Sequence, residues 1–393
     1  MKPRVLLTTH NTGTAFWRVR NPLFQMMDLG AIDLTWLATE DVPMRDRFWY
    51  NNFDVLVLHQ EWSDAAIGLA QVFKQLGKRV IVSLDDLVAG WQIPRNITGG
   101  RFYQDRLTIQ NVKALLDLSD RIVITQPTLK KAICDHFQID ERKMRIFPNM
   151  PSFDWMGRMF NAKMRADRFK QKGRAMRIGV LSSLSHYELL DERMKEDDDF
   201  QIIVDAAKLL VASKAKVVWC LPLTSKDSPL VKRLTDIGAD VDVVPMAPIT
   251  AYPKAAAQWD LDICAVPIRK NLFNDCKSNI KLLECAALGI VPLTSKSDAY
   301  DPFIEGKYQF EDAKGLVDKI LMVKSWTGDY YQKVITENYL RFFDREVEYY
   351  GTKMKGFWLD NNIALIGQTF MEPDKPMGTD EISAPKQLKE SKI

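Results

Sequence analysis

The chain has 393 residues, of which 46% are hydrophobic and 27% charged, and its net charge is only +3. Such a length exceeds one ordinary core and predicts two domains plus extensions, and the small net charge excludes naming a partner from overall charge. The five cysteines include no C-x-x-C pair and no two of the four histidines lie four apart, which argues against a zinc site and for reduced thiols in a cytoplasmic protein.

The opening "MKPRVLLTTHNTG" reads as a first β-strand, because its apolar run is short and broken by polar residues. No apolar run approaches the roughly 20 residues needed to span a bilayer, so a soluble chain without a transmembrane segment is expected. "RVLLTT" (4–9) is followed by a helix from about Pro22 to Leu29, then by strands "DLTWLA" (33–38) and "DVLVLHQ" (54–60). A helix from about Ser63 to Leu76 precedes "RVIVSLDDL" (79–87), and one from about Arg106 to Leu118 precedes "RIVITQ" (121–126). "MRIFPN" (144–149) closes the half. Alternation of short apolar runs with helices indicates an α/β protein with parallel sheets covered on both faces.

The pattern restarts at "MRIGVLSS" (176–183), followed by a helix at about 200–212, "KVVWCL" (216–221), a further helix, "VDVVPM" (241–246), "LDICAVPI" (261–268) and "IVPLTS" (290–295). Two Rossmann-like domains are therefore expected over 1–160 and 174–335. The joining stretch 156–177 carries eight Lys or Arg against the single Asp167. Closing helices are expected over 336–366, and a disordered tail over 371–393, where prolines are frequent and apolar residues few.

In an open parallel sheet, ligands bind at the carboxyl ends of the strands. The segment "NLFNDCKSNIKLLECAALG" (271–289) follows such an end, and its helix is expected to begin near Lys277 or Ser278. Lys277, Lys281 and Glu284 then share one helical face, where the free N–H groups and dipole favour a phosphate. Glu284 cannot serve a phosphate, but a carboxylate accepting from two adjacent hydroxyls suits a ribose or sugar. Ser278 and Asn279 stand at the same end. In the first half Asp85 and Asp86 end a strand, as catalytic or acceptor-binding carboxylates do, although a turn-forming aspartate pair reads the same way. His10 also ends a strand, and Trp17, Arg18 and Arg20 follow it as candidate acceptor contacts. Ser182 and Ser183, after the strand that opens the second half, are candidate phosphate donors.

The block from Pro248 to Tyr300 resembles the carboxyl-terminal half of the GT-B glycosyltransferases of the large retaining group, in a form common among bacterial and bacteriophage members. "RIGVLSSLSHYELLD" (177–191), "RVIVSLDDLVAGWQIPRN" (79–96) and "FPNMPSFDW" (147–155) resemble further parts of that group, so the likeness covers most of 1–335. It implies two Rossmann-like domains facing across a cleft, a nucleoside diphosphate sugar as co-substrate, and no other cofactor or metal. It also implies Glu284 on the donor ribose and Lys281 and Ser278 on the diphosphate. Many relatives carry a glutamate eight positions before this one, facing the donor sugar; here Cys276 stands there, beside Asp275.

The implied reaction is sugar transfer to a hydroxyl with retention of configuration, Lys281 stabilising the leaving group; an inverting route would need Asp85 or Asp86 as base. The basic linker and "RDRFWYNNF" (45–53) mix cations with aromatics, which suits DNA and a flipped base, so a hydroxymethylated pyrimidine in phage DNA is the expected acceptor, with polysaccharide or lipopolysaccharide synthesis as the alternative. A nicotinamide-dependent oxidoreductase would share the doubly wound fold, but no G-x-G-x-x-G follows the first strand of either half. A non-catalytic DNA- or sugar-binding module would not need the Lys281–Glu284 stripe.

Overall fold

A computed structural model of the chain describes residues 2–9, 13–43, 46–88, 105–147, 149, 155–181, 198–223, 226–343, 347–349 and 352–354. His10, Ser182, Ser183 and the tail 371–393 lie outside the described residues.

The apolar runs of the first half form β1 (Arg4–Thr9), β2 (Asp33–Leu37), β3 (Val55–His59), β4 (Arg79–Ser83), β5 (Arg121–Ile124) and β6 (Met144–Ile146). They pair in parallel in the order β2-β1-β3-β4-β5-β6. The second half repeats the plan with β7 (Met176–Gly179), β8 (Val217–Leu223), β9 (Val241–Pro245), β10 (Ile263–Val266), β11 (Val291–Ser295) and β12 (Gln309–Phe310). Its order is β12-β11-β10-β7-β8-β9, again all parallel.

The two-residue strand period sends alternate side chains to opposite faces, and both faces are covered. In β3, Leu56 and Leu58 join the core under helices α2 (Asp64–Gln75), α3 (Arg106–Leu118) and α4 (Pro127–Phe137). Val55 and Val57 join the core under α1 (Asn21–Asp28) on the other face. The second sheet is enclosed in the same way by two apolar clusters. At the end of β7, Gly179 is required by close approach: a Cβ there would collide with the Leu261 side chain.

The joining segment is bound tightly to the second half. Its helix α5 (Ala162–Phe169) packs on α11 (Gly328–Phe342), with Phe160 stacked on Tyr339 and Phe169 on Tyr331, each pair at 4.2 Å. Arg165, Arg168 and Arg174 pair with Asp260, Arg174 also reaches Asp262, Arg177 pairs with Asp242 and Lys170 with Asp329. Five of the linker's eight cations are thus paired with carboxylates of the second half, three of them mostly covered. Of the span expected to hold closing helices, α11 covers the start to Phe342, Val347–Tyr349 pairs antiparallel with Thr352–Met354, and 355–366 lies outside the described residues.

Candidate active site

The second half presents a helix start at the carboxyl edge of its sheet. After β10 the chain makes a short helical turn, Leu272–Asp275, capped by the Asn271 side chain, which accepts from Asn274 N at 2.8 Å. Helix α9 (Ile280–Leu288) then begins three residues later than Lys277, with Asn279 as the residue before its first turn. The Asn279 carbonyl accepts from Leu282 N at 2.9 Å, and its buried side chain makes no capping bond. The first N–H groups of α9 therefore have no acceptor from within the helix, and its positive dipole end faces this edge. Gly289, at φ +64°, ends the helix in the left-handed conformation that glycine adopts without steric cost.

Lys281 and Glu284 do meet, with Nζ 2.8 Å from Oε2. Glu284 is buried, and burial followed by the Glu284 charge pushes the neighbouring, partly buried Tyr252 well above its usual range. Lys277 does not share their helical face, because it precedes the helix. Its ammonium lies 4.4 Å from the Phe273 ring centroid and 3.7 Å from Asp86 Oδ1 in the first half. Cys276 does not face a donor: it is fully buried in the first half's core with Phe273, and burial pushes its thiol up to about 12. Asp275 accepts from Ser297 Oγ at 2.9 Å.

The first half contributes a buried polar group at the matching edge of its own sheet. The segment Phe16–Arg20 forms one π-helical turn ahead of α1, a rare geometry often found at functional sites. Arg18 is fully buried from it; its Nε donates to Ser83 Oγ at 3.2 Å and its Nη1 to the carbonyl of Phe147. His59 Nδ1 lies 3.3 Å from the same Ser83 hydroxyl. Gln60 donates its amide to Asp85, which is 1% exposed.

Burial first, then the neighbouring Asp86, raises Asp85 to about 8 despite Arg18 and Lys277. Burial lowers Arg18 to about 9, opposed by Asp85. Burial and the Arg18 charge lower His59 to about 3, so it is neutral at physiological pH. His59, Ser83 and Gln60 were not singled out in the sequence, although His59 and Ser83 each end an apolar strand.

The structure thus brings Asp85, Asp86, Arg18 and Lys277 together and places Lys281 with Glu284. Trp17 and Arg20 go elsewhere. Trp17 is 1% exposed and packs into the second half's core, with its ring 5.0 Å from Trp155. The Arg20 guanidinium is wrapped by Phe16, Phe24 and Trp36, with centroids at 4.2, 4.9 and 5.1 Å. The aromatic run 45–53 also turns inward: Tyr50 and Phe53 are buried and Trp49 packs on Phe53 at 4.6 Å, leaving Phe48 exposed. Both features that pointed to a DNA surface, this run and the basic linker, serve the fold instead. Among the described residues no cluster of three or more His, Cys, Asp or Glu converges as a metal site, and no helix is long and apolar enough to cross a membrane.

No protein-family model and no curated protein matches the sequence. Solved structures do. A glycosyltransferase from Rickettsia africae ESF-5 superposes with a TM-score of 0.53 at 10% identity, covering 95% of this chain and 100% of that one. Anabaena HepE, crystallised with UDP and glucose, superposes with a TM-score of 0.55 at 11% identity, covering 94% of this chain and 95% of that one. With its two parallel six-stranded sheets, the chain has the GT-B fold.

Proposed function

We propose that the protein is a glycosyltransferase that moves a sugar from a nucleoside diphosphate donor to a hydroxyl acceptor. The observation that carries this reading is the Lys281–Glu284 pair at the start of α9, on a sheet edge tied through Lys277 to the Asp85–Asp86 edge of the other sheet. A buried carboxylate already held by the Lys281 ammonium suits accepting from two adjacent ribose hydroxyls. The Anabaena complex with UDP and glucose supports UDP as the donor's nucleotide.

When the anomeric C–O bond breaks, negative charge builds on the diphosphate. Lys281 turns from Glu284 towards it, and Lys277, Ser278 and the first N–H groups of α9 add donors preset at that edge. The raised Asp85 holds its proton near neutrality, which makes it a weak general base. That favours retention, with the leaving phosphate taking the acceptor's proton, over inversion through Asp85; Asp86 is the candidate base for an inverting route. A DNA acceptor has lost the two features that suggested it, and the acceptor is here defined only as a hydroxyl.

Isothermal titration with UDP tests the reading. We expect wild-type binding and, for Glu284→Gln, about a tenfold loss, equivalent to about 1.4 kcal/mol. Equal UDP affinity in the two proteins would remove Glu284 from the donor site.

A further inference from the structure

The carboxyl edge of the first sheet holds more buried polar atoms than its own contacts satisfy. Among the described residues, Arg18 Nη2, Asp85 Oδ2, Thr125 Oγ1 and both amide atoms of Asn149 have no hydrogen-bond partner. These residues are 0, 1, 5 and 4% exposed. Buried polar groups in folded proteins are overwhelmingly paired, so a concentration of orphans marks a place for something else.

The topology brings them to one sheet edge. Ser83, which Arg18 grips, pairs in register with Val123, and the ladder runs on through Leu84 N to Val123 O at 2.9 Å and Phe147 N to Ile124 O at 2.7 Å. Asp85 and Thr125 are each two residues beyond that register pair, just past the ends of β4 and β5 at this sheet edge. Asn149 is two residues beyond Phe147, whose carbonyl takes the other Arg18 nitrogen. Arg18 and Asp85 feel each other's charge.

The set is mainly donors. A guanidinium N–H, the hydroxyl of Thr125, the Asn149 Nδ2 and the protonated carboxyl of Asp85 donate, and the Asn149 Oδ1 accepts. Donors around a desolvated cation match an anionic oxygen, and a planar guanidinium edge suits a carboxylate or phosphate. The donor's diphosphate already has Lys277, Lys281 and the α9 terminus on the other sheet.

We propose that Arg18, Asp85, Thr125 and Asn149 bind a carboxylate or phosphate carried by the acceptor, so that the acceptor is an acidic sugar or a phosphorylated one. The word acceptor rests on the glycosyltransferase reading; the anion site does not.

The test is thermal shift and calorimetry on the full chain saturated with UDP, using galacturonate and inorganic phosphate as probes and galactose as the uncharged control. At least one anion is expected to raise Tm on top of the UDP effect while galactose does not. Arg18→Gln is expected to bind that anion at least tenfold more weakly with unchanged UDP affinity. Because Arg18 is buried, Thr125→Val is the shape-conserving second variant, expected to weaken the anion about threefold, and circular dichroism checks both folds. No anion response, an equal response to galactose, displacement of the anion by UDP, or anion binding unchanged in both variants would overturn the proposal. Failure of UDP to bind wild type would instead overturn the donor reading and leave the anion result standing.

Discussion

Asp85 and His59 lie on one sheet edge and respond to pH in opposite senses. Asp85, raised from 3.8 to about 8, binds more proton in the native state than in the unfolded one between those values. Its contribution is therefore fully present below 3.8 and is lost as pH rises through about 8. His59, lowered from 6.5 to about 3, behaves in the reverse way, and its contribution is lost as pH falls from 6.5 towards 3. The two slopes oppose each other from about 3.8 to 6.5, and Asp85 acts alone from 6.5 to about 8. Asp85→Asn removes only the first slope. Because the His59 slope is common to both proteins, its Tm relative to wild type should rise steadily between about pH 3.8 and 8, read by calorimetry in matched buffers; a difference independent of pH would mean that Asp85 is ionised in the fold. At this scale the sequence was a good guide where partners are near in the chain. Lys281 and Glu284, three apart, are found paired. It was a poor guide where burial decides: nothing local to "AFWRVR" says that Arg18 is enclosed while Arg20 lies against three rings.

Elements were legible wherever hydrophobic period and length spoke together, which is why the apolar strands of both sheets fall close to where the pattern puts them. Ends were not. The start of α9 moved from Lys277 to Ile280 because Leu272–Asp275 takes a separate turn with its own Asn271 cap, and that shift removes Lys277 from the Lys281 face. The π-helical turn at Phe16–Arg20 leaves no periodic signature, since one extra residue in a turn is invisible against a mostly apolar run. Beyond α11 the aromatic residues at helical spacing also fit the alternation of a short antiparallel pair, which Val347–Tyr349 and Thr352–Met354 form. The other end of α9 carries a prediction. Gly289 is left-handed, and a Cβ there would sit 3.3 Å from the Phe160 ring. Gly289→Ala should cost about 1–2 kcal/mol, visible in the urea midpoint at unchanged m-value; no change in midpoint would mean that the terminus relaxes freely.

The whole molecule is held by an exchange between its halves that no local pattern announces. Phe273 and Cys276 leave the second half to join the first half's core, and Trp17 leaves the first half to join the second's. The Gln126 amide donates to the carbonyl of Lys277 at 3.0 Å and to that of Asp275, and Thr128 donates to Asp298 at 2.8 Å. Long-range contacts of this kind depend on which surfaces meet, and a single sequence records them only as apolar residues in a polar loop. They make one cooperative melting unit of two domains that could otherwise unfold separately. Phe273→Ala should cost about 3–5 kcal/mol and split the calorimetric transition in two; a single transition of lower Tm would show that the polar contacts alone couple the halves.

The seat of Phe273 and Cys276 also bears on the pace of the reaction. The segment that leads into α9 is plugged into the opposite domain, so on the proposed reading a nucleotide entering or leaving beside it would work against an apolar seal. Withdrawing such a plug exposes oily surface to water, an event that heat accelerates and that dissolved ions hardly touch. Turnover limited by that withdrawal should climb steeply on warming, remain nearly flat as salt is added, and quicken when Phe273 is trimmed to leucine.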